Sequence, residues 1–318
     1  MIEAHGLTKR YGQKTAVAGI DFTVQPGKVT GFLGPNGAGK STTMRMIMGL
    51  DRPTSGTVTV NGRPYAQLTS PLTEVGALLE AKAVHSGRSA TNHLRALGAT
   101  HGIGRKRVDE VIEMTGLGQV AGKRVGGFSL GMGQRLGIAA AMLGDPRTLI
   151  LDEPVNGLDP EGVLWVRNLV KHLATEGRTV FLSSHLMSEM ALTADHILVI
   201  GRGRIIADAP VDDIVSGAAG KSVRVRSPHA TRLAELLAAP DVTVTSVEAG
   251  LLEITGTDAR AVGELAAANA LVLHELTPVQ ASLESAYMSL TADAVEYHST
   301  AAGPAGTADA PTPEEARR

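Results

Sequence analysis

Over the first sixty positions apolar and polar residues alternate, so that Ile20, Phe22 and Val24 share one face of an extended segment. Pro26-Gly27 then turns the chain, and Val29 to Leu33 reads as a short buried strand. The glycine-rich stretch Gly34 to Gly39 follows at once. Met44, Ile47 and Met48 recur at helical spacing within Ser41 to Gly49, and Thr57 to Val60 predicts a strand running into a tight turn at Asn61-Gly62. From Ser89 to Gly116 the period becomes helical, with Val108, Val111, Ile112 and Met114 set among the charges of Arg105 to Glu113. This pattern predicts a helical insert, at about residues 86–145, between sheet segments.

Thr148 to Leu151 and Thr179 to Ser183 predict strands, and the helical stretch Glu161 to Ala174 between them gives the βαβ rhythm of a parallel sheet. His196 to Ile200 and Arg204 to Ile206 read as a hairpin through Gly201 to Gly203. After Pro210 the composition shifts, and residues 216–220 read as a linker. Beyond it the pattern predicts strand Ser222 to Arg226, helix Thr231 to Ala238, strands Val242 to Val247 and Leu251 to Thr255, helix Asp258 to Asn269 and strand Leu271 to Leu276. That βαββαβ order is a ferredoxin-like split βαβ unit. A helix over Pro278 to Leu290 is expected to close it, and the tail from Thr291 is too poor in large apolar residues to order itself. The expected organisation is a nucleotide-binding domain at 1–215, a linker at 216–220, a small α+β domain at 221–290 and a disordered tail at 291–318.

Composition narrows the chemistry. The 318 residues, sufficient for about two domains, carry 30 Lys and Arg against 32 Asp and Glu, a net charge of −2 that disfavours nucleic acid as the main partner. Absence of cysteine rules out disulfides, thiol catalysis and thiolate zinc sites, in keeping with a reducing cytoplasm. Met1 to His5 show neither the basic start nor the apolar run of a signal peptide, so export by that route is not expected. Apolar stretches such as Ile138 to Leu143 are far shorter than the roughly 20 residues of a spanning helix. A membrane role would have to come through another polypeptide.

Gly34-Pro35-Asn36-Gly37-Ala38-Gly39-Lys40-Ser41 fits G-x-x-x-x-G-K-[ST] between a predicted strand and a predicted helix. In that context backbone N–H groups and a helix N-terminus cradle a triphosphate, Lys40 reaches the β- and γ-phosphates, and Ser41, followed by Thr42, brings a hydroxyl to Mg²⁺. Thr148 to Leu151 ends in Asp152-Glu153. Asp152 can hold the magnesium shell through water, and Glu153 can orient and deprotonate the water that attacks the γ-phosphate. These elements predict a P-loop NTPase.

Phe128-Ser129-Leu130-Gly131-Met132-Gly133-Gln134-Arg135, shortly before the acidic strand, resembles the signature motif of the ATP-binding subunits of ABC transporters, and the resemblance spans roughly residues 1–215. It implies the ABC ATPase fold: a mixed-sheet α/β core with a helical subdomain, here followed by the small ferredoxin-like α+β domain. It also implies roles for single residues. Tyr11 would stack on adenine, Glu80 would stand in the lid loop beside Mg²⁺, and Ser129 and Gly131 would meet the γ-phosphate of a second copy's ATP. Asn156-Gly157-Leu158-Asp159 would form the dimer loop, and His185 would be the switch histidine. Two departures stand out: Leu130 and Met132 replace glycine and glutamine of the usual Leu-Ser-Gly-Gly-Gln, and Glu80 replaces the lid-loop glutamine.

Those departures and the appended domain ending Ala281 to Thr291 resemble the exporter branch of bacitracin- and daunorubicin-resistance ATPases. The resemblance implies a homodimer around two ATP, with Mg²⁺, at the cytoplasmic face of the membrane. Its partner would be a separate polytopic permease exporting drugs, antibiotics or lipid-like compounds. Neither nucleic acid nor transported substrate would touch this chain directly. A soluble ABC ATPase acting as a clamp on ribosomes or DNA is the rival reading, and a regulatory binding module without hydrolysis is a second.

Overall fold

The computed structural model describes residues 1–80, 84–218, 222–279 and 282–291. Strands β1 (Ile2–Tyr11) and β2 (Lys14–Val24) pair antiparallel, and the alternation of Ile20, Phe22 and Val24 turns all three inward. β3 (Val29–Leu33) is buried at every position, as a strand covered on both faces must be. It feeds the glycine-rich loop, which opens α1 (Lys40–Ile47). β4 (Ser55–Val60) pairs with the other edge of β1 and completes a three-stranded antiparallel sheet.

After α2 (Pro71–Glu74) and β5 (Val75–Leu78) the chain leaves the sheet for three helices, α3 (Ala90–Ala99), α4 (Arg105–Met114) and α5 (Leu130–Met142). Val108, Val111 and Ile112 of α4 turn inward at the helical spacing read in the sequence, whereas Met114 of the same run is exposed; Leu94 and Leu136 bury the faces of α3 and α5. β6 (Thr148–Leu151), α6 (Pro160–Thr175), β7 (Thr179–Ser183), α7 (Met187–Thr193), β8 (His196–Gly201) and β9 (Arg204–Pro210) return to the core. Six strands lie in the order β5-β6-β7-β3-β8-β9, parallel except for β9. Phe22, Phe32 and Phe181, with ring centroids 5.2–6.3 Å apart, join the three-stranded sheet to this one. Because β3, β6 and β7 are parallel neighbours, their C-terminal ends, and the loops that follow them, come to one edge of the sheet. This is the place where open α/β sheets present their ligand sites.

α8 (Val211–Ala218) precedes a third sheet and its two helices, formed by β10 (Ser222–Arg226), α9 (Ala230–Leu237), β11 (Thr243–Glu248), β12 (Leu251–Thr255), α10 (Ala259–Ala268) and β13 (Glu275–Val279). The strands run antiparallel in the order β11-β12-β10-β13, which is the split βαβ arrangement. Two expectations are corrected here. The last strand is displaced from Leu271 to Leu276, because Leu271 and Leu273 pack into the small core before pairing begins at Glu275. The closing helix does not start at Pro278, which lies in β13. It is α11 (Leu283–Thr291), and it packs on α7 and α8 instead of on the small sheet. That sheet already has α9 and α10 against it, so the apolar stripe Leu283, Ala286 and Tyr287 finds its burial in the larger core beside Val211 and Ile214. Residues 216–218 of the expected linker belong to α8. The rest of the linker and the tail from residue 292 lie outside the described residues.

Candidate functional site

The phosphate loop joins β3 to α1 by a backbone that only certain residues allow. Gly39 caps α1 with φ 112°, where a side chain would be strained, and a Cβ there would also come within 2.7 Å of the Ala16 carbonyl oxygen. Pro35, Asn36, Gly37, Gly39, Lys40, Ser41 and Thr42 line one cleft together with Ala16, Leu79, Asp152 and Glu153. Gly34 and Ala38 are buried beneath it. The Lys40 ammonium donates to the carbonyl oxygens of Gly34 at 2.6 Å and Pro35 at 3.3 Å. Burial pushes the Lys40 pKa below the ordinary lysine value, and the nearby Glu153 and Asp152 carboxylates oppose that shift. A cation held against this cost, at the N-terminus of a helix, is suited to a polyanion.

The two acids are fixed by groups that sequence reasoning did not single out. Ser183, buried at the end of β7, donates its hydroxyl to Asp152 Oδ1 and accepts the Glu153 N–H at 3.0 Å. Buried Gln134 on α5 donates Nε2 to the Glu153 carbonyl oxygen at 2.6 Å. Glu153 thereby holds a left-handed backbone, φ 52°, unusual for a residue with a side chain. Its carboxylate lies 2.8 Å from His185 Nδ1, so the acid expected to activate water and the expected switch histidine form a pair. No sequence signal marks Ser183, because only the fold shows that its strand neighbours the acidic one. Ser183→Ala is expected to leave a buried N–H unsatisfied, to cost about 1–3 kcal/mol in denaturant unfolding and to slow hydrolysis roughly tenfold.

The remaining candidates occupy neighbouring surfaces. Tyr11 is 49% exposed at the end of β1, its hydroxyl donating to Asp51 Oδ2 at 3.0 Å and the Lys9 ammonium 5.0 Å from its ring centroid. Burial, then the hydrogen bond to Asp51, raises the Tyr11 pKa. Glu80 is exposed at the end of the β5 loop. It lies in an adjoining groove with Arg45, Tyr65, Val84, His93 and Gly137, while its neighbour Leu79 reaches the phosphate cleft.

Ser129 caps α5, its hydroxyl accepting the Met132 N–H at 3.2 Å. Leu130, half exposed, packs over Gly157: a Cβ built on Gly157 would lie 2.3 Å from Leu130 Cδ2, and φ at Gly157 is 74°. Likewise a Cβ at Gly131 comes within 2.9 Å of the Gly157 carbonyl oxygen. The leucine that replaces the usual glycine thus rests on Gly157, in the segment expected to form the dimer loop. Asp159 caps α6 through the Gly162 N–H at 3.1 Å and lies 3.9 Å from Arg135, whose guanidinium sits 5.1 Å from the centroid of the Trp165 ring. The hollow beside Ser129 and Leu130 shares no lining residue with the phosphate cleft.

A phosphate loop, a paired acid and histidine, and a capped signature helix on one chain define an ATP-binding cassette. Residues 17–156 match the family described as ABC transporter, and residues 221–284 match a domain of unknown function. The chain is 42% identical over 217 residues to the bacitracin transport ATP-binding protein BcrA of Bacillus licheniformis, covering 67% of this chain and 71% of that one. It is 36% identical over 212 residues to the lantibiotic transport ATP-binding protein SrtF of Streptococcus pyogenes, covering 67% and 92%. Among solved structures, an ATP-binding subunit of an ABC transporter superposes with TM-score 0.63 at 26% identity, over 68% of this chain and 92% of that one. A dimeric cassette in a post-hydrolysis state, bound to ADP and Pi, superposes with TM-score 0.61 at 23% identity over 66% and 99%, which is a likeness of fold. The chain belongs to the ABC transporter family and is an ATP-binding, ATP-hydrolysing subunit.

Proposed function

We propose that this subunit energises a separate membrane permease that exports antibiotics or similar drug-like or lipid-like compounds, working as a homodimer at the cytoplasmic face of the membrane. The observation that carries the reading is the separation of two half-sites on one chain. Lys40, Asp152 and Glu153 line the phosphate cleft, whereas Ser129 caps α5 at a surface with none of those residues. Two copies placed head to tail bring each signature to the other's ATP. Among the described residues no helix is long and apolar enough to cross a membrane, in keeping with a permease on another chain. The relatives named for bacitracin and lantibiotic transport support the class of cargo.

In the closed dimer, Lys40 holds the β- and γ-phosphates and Tyr11 stacks on adenine. Glu153, held in place by Ser183, Gln134 and His185, orients a water and accepts its proton as the oxygen attacks the γ-phosphorus. The bond to the β-phosphate oxygen breaks, leaving ADP and phosphate, and the dimer loosens. The Ser41 hydroxyl and the Asp152 carboxylate line one cleft and are hard oxygen donors, a set suited to Mg²⁺ completed by water and phosphate oxygens. Bound there, Mg²⁺ would neutralise phosphate charge. The groove at Glu80, between sheet and helical subdomain, is where closure would be passed to the permease.

Glu80→Gln keeps an oxygen at that position and removes a charge near the phosphates, so hydrolysis is expected to stay within about tenfold of the parent in a phosphate-release assay. The reading as a whole is tested by purifying the tagged chain from detergent-solubilised membranes. A polytopic membrane protein in stoichiometric amount is expected, whereas ribosomal proteins would favour the soluble clamp.

A further inference from the structure

The chain leaves the phosphate-binding part through α8 and comes back to it through α11, so the small sheet is tethered at both ends to the same core. α11 is well seated there: Leu283, Ala286 and Tyr287 are 2%, 0% and 8% exposed, and they share a core with Met190, Val211 and Ile214. Ser282 caps its start by accepting the Ser285 N–H at 3.1 Å, and buried Thr291 donates its hydroxyl to the Tyr287 carbonyl oxygen at 2.8 Å.

One of the two helices beneath α11 is α7, which begins two positions after His185. α7 is fixed on its other sides by contacts at single residues. Met190 fills the space over Gly31 of β3, where a Cβ would lie 2.3 Å from its sulfur. Glu189 accepts the Arg167 guanidinium of α6 at 2.6 Å. A small cavity lined by Pro154, Val155, Arg167, Ser183, Ser184 and Met190 lies between α7 and the segment that follows Glu153. The Arg167 Nε beside it is buried without a hydrogen-bond partner. α11 covers a further face of α7 and adds to these contacts in seating it.

We propose that Tyr287 on α11 is a positioning residue for His185, acting through α7, so that the small C-terminal sheet is mechanically linked to the ATP site. This rests on the reading of His185 and Glu153 given above. The tether contributes to how closely His185 Nδ1 approaches Glu153, now 2.8 Å away, because His185 lies just before α7. A load on the small sheet would reach hydrolysis by the same route, leaving the affinity of the phosphate loop for ATP unchanged.

The test uses the full chain carrying Tyr287→Leu, Tyr287→Phe and Leu283→Val, each with and without His185→Ala. Steady-state ATPase is measured, together with single-turnover hydrolysis for the slow variants and amide hydrogen exchange across Met187 to Thr193. Tyr287→Leu is expected to lower kcat about fivefold with KM for ATP within about twofold, and Tyr287→Phe is expected to keep parental kcat. Exchange in α7 rises, and the kcat loss disappears in the His185→Ala background. If Tyr287→Leu does not yield folded protein, Leu283→Val carries the same expectations. Equal losses in both backgrounds, a raised KM at unchanged kcat, or no change overturns the proposal. If His185→Ala alone leaves hydrolysis intact, the reading of His185 falls and the proposal with it. If His185→Ala is impaired and the Tyr287 variant adds its own loss, only the proposal falls.

Discussion

Replacing Glu153 by glutamine is expected to lower ATP hydrolysis at least about a hundredfold while leaving ATP binding intact. The substitution keeps size, removes the proton acceptor and leaves the backbone bonds from Ser183 and Gln134 in place, because both act on main-chain atoms of Glu153. It also changes the partner of His185 Nδ1 from a carboxylate to an amide, which weakens a charge-assisted contact. In the proposed sandwich, closure needs ATP and opening needs hydrolysis, so the variant is expected to accumulate as a dimer. Size exclusion with ATP and Mg²⁺ should show the Glu153→Gln protein shifted to twice the parental mass, and a variant that stays monomeric with ATP bound would contradict the sandwich for the isolated subunit.

Lys40→Ala is expected to weaken nucleotide binding about a hundredfold, or about 2.7 kcal/mol, by removing both the charge and the clamp on the loop. Lys40 holds the carbonyl oxygens of Gly34 and Pro35, so its loss loosens the loop before any phosphate arrives. Titration with a fluorescent ATP analogue measures the change, and an unaltered affinity would contradict the assignment. Its pH dependence has a definite sign. Burial lowers the Lys40 pKa, and only the protonated form attracts phosphate, so affinity should weaken as pH rises, starting below the range of an ordinary lysine.

The phosphate loop and the acidic strand were legible in the sequence because their geometry is local. A glycine-rich turn between strand and helix, and acids at a strand end, carry their positions with them. The hydrogen bonds that lock those acids were not legible. Ser183 reaches Asp152 and Glu153 from a neighbouring parallel strand, and Gln134 reaches the Glu153 carbonyl from a helix of the insert. Strand order in a parallel sheet is not written in the alternation of any single strand.

The same reason explains α11. Its stripe of Leu283, Ala286 and Tyr287 announces that one face is buried but does not say against what, and proximity in the chain pointed to the small sheet. The choice was made by what remained uncovered: α9 and α10 had filled the small core, and α7 and α8 offered an apolar surface. Leu130 is a third instance. Read as a departure from a motif it signified the loss of a glycine, and only the fold shows it packed over Gly157, where a strained φ and a crowded Cβ position both demand glycine.

The most direct test of the account is the ATPase rate of this subunit measured in one preparation with and without the permease expected to co-purify with it, alongside the Glu153→Gln variant of the same complex. Hydrolysis stimulated by the partner and abolished by the substitution is the result the account predicts. A rate indifferent to the partner, or one that survives Glu153→Gln, would contradict it.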